Sequence, residues 1–227
     1  MSVMEAGDRD AAMPATVPIA ARRSAGCGPA KRLLDIAVAA MLLGLLAPLL
    51  LLIGLAVRLE TRGPALFRQR RCGAGTGIFS ALKFRTMHVD AEARLDRLLA
   101  ADPVLRSEYL RHHKLHHDPR VTRVGRLLRR TSLDELPQLW NVLAGDMSLV
   151  GPRPYMPSEL AAHPGARAAI ARVKPGITGL WQVSGRHRTT FEDRIRLDLA
   201  YVEGRSFRQD MAILRRTIAV IVRADGI

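Results

Sequence analysis

Aromatic residues are scarce in this chain, since Phe, Trp and Tyr make up 4% of its 227 residues. Proteins that bind single-stranded nucleic acid usually stack the bases on aromatic side chains that alternate with basic ones. The sequence also lacks the metal-ligand spacing of a zinc finger and the aromatic motifs of an RNA-binding sheet. We therefore expect no nucleic-acid partner.

Cysteine and acidic residues are also few. The two cysteines, Cys27 and Cys72, cannot form a disulfide framework, and so low a number is typical of a reducing cytosolic environment. Asp and Glu together number 21 against 35 Lys and Arg, which gives a net charge of +14. This excess of positive charge favours polyanionic partners such as anionic lipid or phosphorylated metabolites.

An uncharged apolar run covers residues 36–57, with Pro48 near its middle. As a helix rising about 1.5 Å per residue it would be roughly 33 Å long, enough to cross a hydrocarbon core of about 30 Å. The run is longer than the usual core of a secretory signal, and no small-residue cleavage site follows it cleanly. The run is therefore expected to contact a membrane.

Basic residues flank this run on both sides. Lys31 and Arg32 precede it, and the residues that follow include Arg58, Arg62, Arg68, Arg70 and Arg71. The positive-inside rule places both flanks in the cytoplasm, which a straight span cannot satisfy. Pro48 has no N–H and clashes with the carbonyl of Gly44, so the helix can bend there. We favour a re-entrant helix kinked at Pro48; a single span and a buried soluble helix remain alternatives.

The remaining sequence predicts three regions. Residues 1–30 are rich in Ala, Gly, Pro and Arg without periodicity, which is typical of disorder. Residues 31–62 form the re-entrant membrane helix, and residues 63–227 form a compact cytosolic domain of the α+β class, mainly helical. We predict a β-hairpin over residues 65–85, an amphipathic helix over residues 90–100, and two final helices from Phe191 and Met211.

Three smaller patterns leave alternatives open. The glycines at 73, 75 and 77 fit a plain turn better than a phosphate-binding loop. Residues 106–130 hold eight Lys or Arg against two acids, which suits either a solvated or lipid-facing surface or a site for a phosphorylated substrate. A histidine cluster within this stretch has i, i+4 spacing but no complete ligand set, so we favour a surface patch over structural zinc; it comprises His112, His113, His116 and His117.

The adjacent carboxylates Asp134 and Glu135 are the strongest chemical signal. Ser132 and Glu135 have capping-box spacing, but Pro137 would then clash inside the helix. A helix that begins near Pro137 instead leaves both carboxylates at its N-terminus, where phosphate is attracted. Two carboxylates beside Arg129 suit Mg²⁺ with a diphosphate, and a carboxylate can also act as a nucleophile. A purely structural role is the alternative.

Two loops carry further candidates. Arg153 lies between Pro152 and Pro154, which restrict the backbone around a guanidinium that is well shaped for phosphate. A Gly-rich loop over residues 174–186 contains Trp181 and Arg186, groups that could hold a nucleotide. Each arginine could equally have a structural role in its turn.

Several long motifs occur in order: Lys83-Phe-Arg-Thr-Met87, Asp118-Pro-Arg-Val-Thr122, Ser132-Leu-Asp-Glu-Leu-Pro-Gln-Leu139, Gly145-Asp-Met-Ser-Leu-Val-Gly-Pro-Arg-Pro154 and Pro175-Gly-Ile-Thr-Gly-Leu-Trp-Gln-Val-Ser-Gly-Arg186. From about Lys31 to its C-terminus, the chain strongly resembles the bacterial sugar transferases, also called monotopic phosphoglycosyl transferases. Its short length and its Trp-Gln-Val-Ser-Gly-Arg segment resemble the galactosyl- or glucosyl-phosphate transferases that begin exopolysaccharide synthesis. The family's re-entrant helix commonly has Ser-Pro at its break, where this chain has Ala47-Pro48.

The resemblance implies transfer of a hexose 1-phosphate, galactose or glucose, from a UDP-sugar to undecaprenyl phosphate at the cytosolic face of the bacterial inner membrane, with release of UMP. It implies Mg²⁺ as cofactor, membrane lipid as a contact and downstream glycosyltransferases as candidate partners. Asp134 would be the nucleophile, forming an aspartyl-phosphosugar intermediate, and Glu135 its partner in Mg²⁺ binding. The expected phosphate-binding cations are Lys83, Arg129, Arg153 and Arg186.

A different functional class remains open: a non-enzymatic basic membrane protein that binds lipid or nucleic acid, or a scaffold for polysaccharide assembly. Such a protein has no need for Asp134 and Glu135 beside Arg129 and Arg153. Release of UMP from a UDP-sugar would separate the two classes.

Overall fold

The computed structural model describes residues 28–75, 77–112, 115, 118–184 and 190–222. The predicted disorder of residues 1–30 therefore falls almost wholly outside the described residues. The described helices are α1 (Pro29–Glu60), α2 (Ala91–Ala101), α3 (Pro103–His112), α4 (Arg123–Thr131), α5 (Gln138–Ala144), α6 (Pro164–Ile170), α7 (Leu180–Ser184), α8 (Phe191–Gly204) and α9 (Phe207–Val222).

Short strands complete the fold. Strands β1 (Leu66–Cys72) and β2 (Ile78–Phe84) form an antiparallel hairpin, with Gln69 opposite Ala81. Strands β3 (Ser148–Val150) and β4 (Gly176–Thr178) form a parallel pair. The mainly helical α+β class is confirmed, as are the hairpin and the helices predicted near residues 90–100 and at the end of the chain.

The glycine-rich turn of the hairpin is a plain turn, as predicted. The N–H of Gly73 donates to the carbonyl of Gly77 at 2.9 Å, and the N–H of Gly75 donates to the carbonyl of Ala171 at 2.6 Å. Gly75 has a φ of 68°, a left-handed conformation that glycine adopts without strain. Both of these N–H groups are occupied by carbonyls and cannot cradle a phosphate.

Helix α1 packs on the rest of the chain near both of its ends. Its first half contributes Ala39 to a core shared with α5, β3, α8 and α9. Its second half contributes Ile53 and Val57 to a second core with Phe84 of β2 and Leu128 of α4. Pro48 lies inside this helix, between the two contact regions. The two halves of α1 are thus held by different parts of one folded domain.

The outer face of α1 is apolar and exposed. Side chains that are more than half exposed include Leu33, Met41, Leu45, Leu51, Leu52, Leu55 and Leu59. By length and composition α1 could cross a membrane, with a mean hydropathy of 2.8 over its most apolar window. An exposed apolar surface of this size normally marks a contact with lipid or with another protein.

The start of α1 is fixed to the domain by a buried polar network. Lys31 Nζ donates to the carboxylate of Asp35 and, at 2.6 Å, to Oγ of Ser148 on β3. The same Nζ lies 3.7 Å from Asp210 Oδ2 on α9. Ser148 Oγ in turn donates to Asp35 Oδ2 at 2.7 Å. Lys31, counted above among the basic residues that flank the apolar run, is therefore buried and does not face lipid headgroups.

Arg32 adds a second attachment at the same end. Its guanidinium donates to the carbonyls of Val142 at 2.6 Å and Leu143 at 3.1 Å, in the last turn of α5. Carbonyls at a helix C-terminus lack intrahelical partners, and a cation there is favoured by the helix dipole. Arg32 thus links α1 to α5, which follows the Asp134–Glu135 segment.

Candidate active site

The Asp134–Glu135 segment lies on a tight turn between two helices. Helix α4 ends at Thr131, and Ser132 adopts a left-handed conformation with a φ of 57°. A single 3-10 turn follows at Leu133–Glu135, and α5 begins at Gln138. The helix start near Pro137 is confirmed. Ser132 makes no side-chain cap, so the capping box is absent.

Glu135 is held by Lys83 from the neighbouring strand β2. Lys83 Nζ donates to Glu135 Oε1 at 2.6 Å. Burial raises the pKa of Glu135. The positive charges of Lys83, Arg153 and Arg71 lower it by a larger amount, so the pKa of Glu135 lies below the ordinary value for a glutamate. Glu135 is therefore ionised at neutral pH and is surrounded by cations.

Asp134 has a different electrostatic environment. Burial, and then the negative charge of Glu135, raise the pKa of Asp134 to about 6, although Lys83 and Arg129 act in the opposite direction. Its carboxylate is mostly ionised at pH 7 but poorly solvated. Arg129 is oriented toward the site by a 2.9 Å hydrogen bond from its Nε to Oγ1 of Thr86. An incompletely solvated carboxylate among cations suits nucleophilic attack on an anionic phosphate.

Arg153 is positioned through its backbone. Its N–H donates to Oδ2 of Asp198 on α8 at 3.1 Å, and its guanidinium carbon lies 5.3 Å from the centre of the Trp181 ring. Within the described part of the chain, its guanidinium makes no hydrogen bond and no ion pair. Arg153 therefore has its donors available for an anionic ligand beside Glu135.

The structure thus brings together five of the predicted site residues: Lys83, Arg129, Asp134, Glu135 and Arg153. The sixth, Arg186, lies outside the described residues. The same holds for His113, His116 and His117, and the side chain of His112 is not described either.

The model of the bacterial sugar transferase family matches residues 27–224 of this chain. The chain belongs to this family. It is 44% identical over 196 residues to the UDP-galactose-lipid carrier transferase of Erwinia amylovora and, over the same length, to the undecaprenyl-phosphate galactose phosphotransferase of Salmonella typhimurium. Each match covers 86% of this chain but 41% of the relative, so the chain spans less than half of these two proteins.

A third relative is matched over nearly its whole length. The exopolysaccharide production protein ExoY of Rhizobium meliloti is 39% identical over 225 residues, which covers 98% of this chain and 99% of the relative. The resemblance drawn from the motifs is confirmed.

Arg71 is a site residue that the sequence reasoning missed. It was counted among the basic residues that flank the apolar run, but it is 5% exposed on β1. Its guanidinium donates to the carbonyl of Pro154 at 2.8 Å. Burial, and then the charge of Arg153, lower the pKa of Arg71 to about 10. The predicted hairpin could have indicated this position, because it pairs β1, which carries Arg71, with β2, which carries Lys83.

The carboxylates of Asp134 and Glu135 fit a magnesium ion only together with a phosphorylated ligand. Within the described ranges, no group of three or more His, Cys, Asp or Glu side chains could hold a metal. Mg²⁺ commonly binds through one or two carboxylates plus substrate phosphates and water. Neighbouring Glu135 raises the pKa of Asp134, so a cation shared by the pair would relieve their repulsion.

Proposed function

We propose that this chain transfers a hexose 1-phosphate, galactose or glucose, from a UDP-sugar to undecaprenyl phosphate, with release of UMP, as the first membrane step of exopolysaccharide synthesis. One observation carries the proposal: the poorly solvated carboxylate of Asp134 lies near Lys83 and Arg129, and Arg153 is close to the adjoining Glu135. The domain that carries this site also exposes the apolar face of its longest helix. The similarity to the UDP-galactose-lipid carrier transferase of Erwinia amylovora supports a UDP-sugar donor, and that to the undecaprenyl-phosphate galactose phosphotransferase of Salmonella typhimurium supports a polyprenyl acceptor.

In the first half of the proposed reaction, a carboxylate oxygen of Asp134 attacks the phosphorus that bears the sugar. The bond from this phosphorus to the bridging oxygen breaks, and UMP leaves with the electron pair. The product on the protein is a mixed anhydride, an aspartyl-phosphosugar. Lys83, Arg129 and Arg153 hold the phosphate oxygens, while the ionised Glu135 is kept in place by Lys83.

In the second half, an oxygen of undecaprenyl phosphate attacks the same phosphorus, and Asp134 leaves as a carboxylate. The product is an undecaprenyl diphosphate sugar. Dividing the transfer into two steps lets one small site serve a water-soluble donor and a lipid acceptor in turn. The exposed apolar face of α1 would keep the domain at the bilayer surface where the acceptor resides.

Asp134 and Glu135 would hold Mg²⁺ together with the donor diphosphate. When bound, the ion would neutralise charge on the diphosphate and so favour departure of UMP. We therefore expect excess EDTA to abolish turnover and added Mg²⁺ to restore it. Unchanged turnover in excess chelator would contradict the metal role of the two carboxylates.

The function is tested by incubating purified protein with undecaprenyl phosphate and a panel of UDP-sugars. We expect UMP release with UDP-galactose or UDP-glucose. A non-enzymatic lipid-binding protein or scaffold would release no UMP from any member of the panel. The same panel identifies the sugar.

We further propose that α1 enters and leaves the bilayer on the cytosolic face. Both halves of the helix pack on the same charged domain, through Ala39 near one end and through Ile53 and Val57 near the other. A domain with many charged groups cannot follow one end of the helix across a lipid bilayer. Pro48, between the two contact regions, is the place where a bend would allow re-entry.

This topology predicts that both flanks of α1 resist a membrane-impermeant thiol reagent in intact cells. Lys31 is buried, so we choose the exposed positions Ala30 and Arg62, each changed to Cys after Cys27 and Cys72 are replaced. Both cysteines should label only after the cells are opened. Strong labelling of one position in intact cells, with none at the other, would establish a single span.

Arg153→Lys should impair turnover although it keeps the positive charge. Lysine loses the planar fork that can donate two parallel hydrogen bonds to a phosphate. We expect a loss of about 1.5–3 kcal/mol, roughly tenfold to a hundredfold in kcat/KM. Arg172→Lys, at an exposed site, is the matched control. Equal activity of the two variants would mean that Arg153 does not bind phosphate through its fork.

A further inference from the structure

Trp181 of α7 has two arginines on its ring. The guanidinium carbon of Arg194 lies 4.2 Å from the ring centre, and that of Arg153 lies 5.3 Å from it. Arg194 comes from α8 and Arg153 from the loop after β3, so the fold brings them together from distant parts of the sequence. Trp181 itself is 6% exposed and therefore serves as a rigid support.

Neither of these guanidinium groups forms an ion pair with an acidic side chain in the described part of the chain. The Nε atoms of both Arg153 and Arg194 are buried without a hydrogen-bond partner. Other arginines of the domain are paired: Arg71 donates to a carbonyl and to Gln69, and Arg120 forms an ion pair with Asp118 at 2.6 Å. Arg71 and Arg85 also have a buried Nε without a partner. Their terminal nitrogens nevertheless donate to other groups, whereas the guanidinium groups of Arg153 and Arg194 make no hydrogen bond within the described residues.

Two acidic groups, Glu159 and Asp198, attract Arg194 electrostatically but form no ion pair with it in the described part of the chain. Asp198 accepts hydrogen bonds at Oδ2 from the phenol of Tyr155, at 2.7 Å, and from the backbone N–H of Arg153. Its other oxygen, Oδ1, is buried without a partner. Burial raises the pKa of Asp198 to about 6. Asp198 therefore positions the Arg153 loop through its backbone and forms no ion pair with either guanidinium.

The half-buried guanidinium groups of Arg153 and Arg194 repel each other. Burial, and then the charge of Arg153, lower the pKa of Arg194, which shows that each guanidinium disfavours the other. An anion between them would remove this repulsion. Guanidinium groups bind phosphate especially well because their planar fork matches two phosphate oxygens.

We propose that Arg194 is a second phosphate-binding arginine, which together with Arg153 holds the diphosphate of the nucleotide donor against the Trp181 platform. The inference rests on the proposed function for the identity of the donor. It extends the site beyond the cations beside Asp134 and Glu135 to helix α8. It also gives Trp181 a role, namely to orient two cations rather than to stack a base.

The competing account is that the Arg–Trp–Arg stack only stabilises the fold, since Arg194 also lies 6.0 Å from the ring of Phe191. The two accounts differ in what Arg194→Gln does to ligands with and without phosphate. If Arg194 contacts phosphate, Arg194→Gln weakens the binding of UDP and leaves the binding of uridine unchanged. If Arg194 has only a structural role, or contacts the base, Arg194→Gln weakens the binding of both ligands.

The test measures UDP and uridine binding by calorimetry in the Asp134→Asn background, which prevents turnover. We expect Arg194→Gln to weaken UDP binding by about tenfold to a hundredfold with little change for uridine. Arg194→Lys should recover part of the affinity. Arg196→Gln is the matched control, because Arg196 lies on the same helix, its side chain is 79% exposed, and it pairs with Asp193.

Equal losses for UDP and uridine, or UDP binding by Arg194→Gln as tight as by Arg196→Gln, would overturn the inference. Failure of the proposed function is a separate result, namely no UMP release from any UDP-sugar by the wild-type protein. The binding comparison does not depend on turnover, so the two failures are distinguishable.

Discussion

Replacing Asp134 with Asn should abolish both turnover and the covalent adduct. Asparagine keeps the shape of the side chain but has no nucleophilic charge, so the first step cannot occur. From the effects of removing other nucleophiles, we expect a loss of roughly four to six orders of magnitude in kcat. The measurement is UMP release with and without undecaprenyl phosphate. Wild-type protein should show ping-pong kinetics and release one burst of UMP without acceptor; Asp134→Asn should show neither.

Intact mass distinguishes the covalent mechanism from direct transfer. After incubation with UDP-sugar alone, the wild type should gain the mass of one sugar phosphate, and Asp134→Asn should gain none. Asp96→Asn, on the exposed side of α2, is the matched control and should behave as wild type. Glu135→Gln should be severely impaired because it loses the pairing with Lys83 and a metal ligand. Near-normal turnover by Asp134→Asn would end the covalent scheme.

The local geometry of this site could be predicted from the sequence because its determinants are adjacent in the chain. Pro137 prevents a helix that starts at Ser132, and the helix indeed begins at Gln138. The glycines of the β1–β2 turn and the periodic apolar residues of α8 are similarly local signals. Each requires only a few neighbouring residues to be interpreted correctly.

The residues from other elements that surround the Asp134–Glu135 segment could not be predicted from such local signals. Arg71 and Arg194 reach the site only because β1 pairs with β2 and because α8 packs beside α7. In the sequence, Arg71 is one of several arginines after the apolar run, and Arg194 is one of several on an amphipathic helix. Burial separates them from solvated arginines, and burial is a property of the tertiary structure.

The orientation of α9 is another feature that local sequence patterns do not predict. The periodicity of Met211, Leu214 and Ile218 predicts the helix correctly but not its orientation, since Ile218 is 64% exposed while Ile213 is buried. This orientation follows from Asp210, which is fully buried. Its carboxylate accepts a hydrogen bond from the phenol of Tyr201 at 2.8 Å and faces Lys31, so a polar network turns the helix.

Lys31→Met should strongly destabilise the protein because it removes the cation from this network. Methionine keeps the length of the apolar stem, but the carboxylates of Asp35 and Asp210 would remain buried without the ammonium group. Breaking a buried ion pair by removing one partner costs about 3–5 kcal/mol. For a domain of this size we expect the midpoint of thermal unfolding to fall by on the order of 10 °C.

The exposed Lys174 provides the matched control, since Lys174→Met should change the unfolding midpoint little. The double variant Lys31→Met, Asp35→Asn should recover part of the loss, because one of the two uncompensated charges is then removed. Thermal unfolding of all four proteins in the same lipid nanodiscs measures the effect. A Lys31→Met variant as stable as Lys174→Met would show that the network does not attach α1. Because Ser148 begins the strand that leads to the Arg153 loop, a broken network should also lower kcat/KM for the donor.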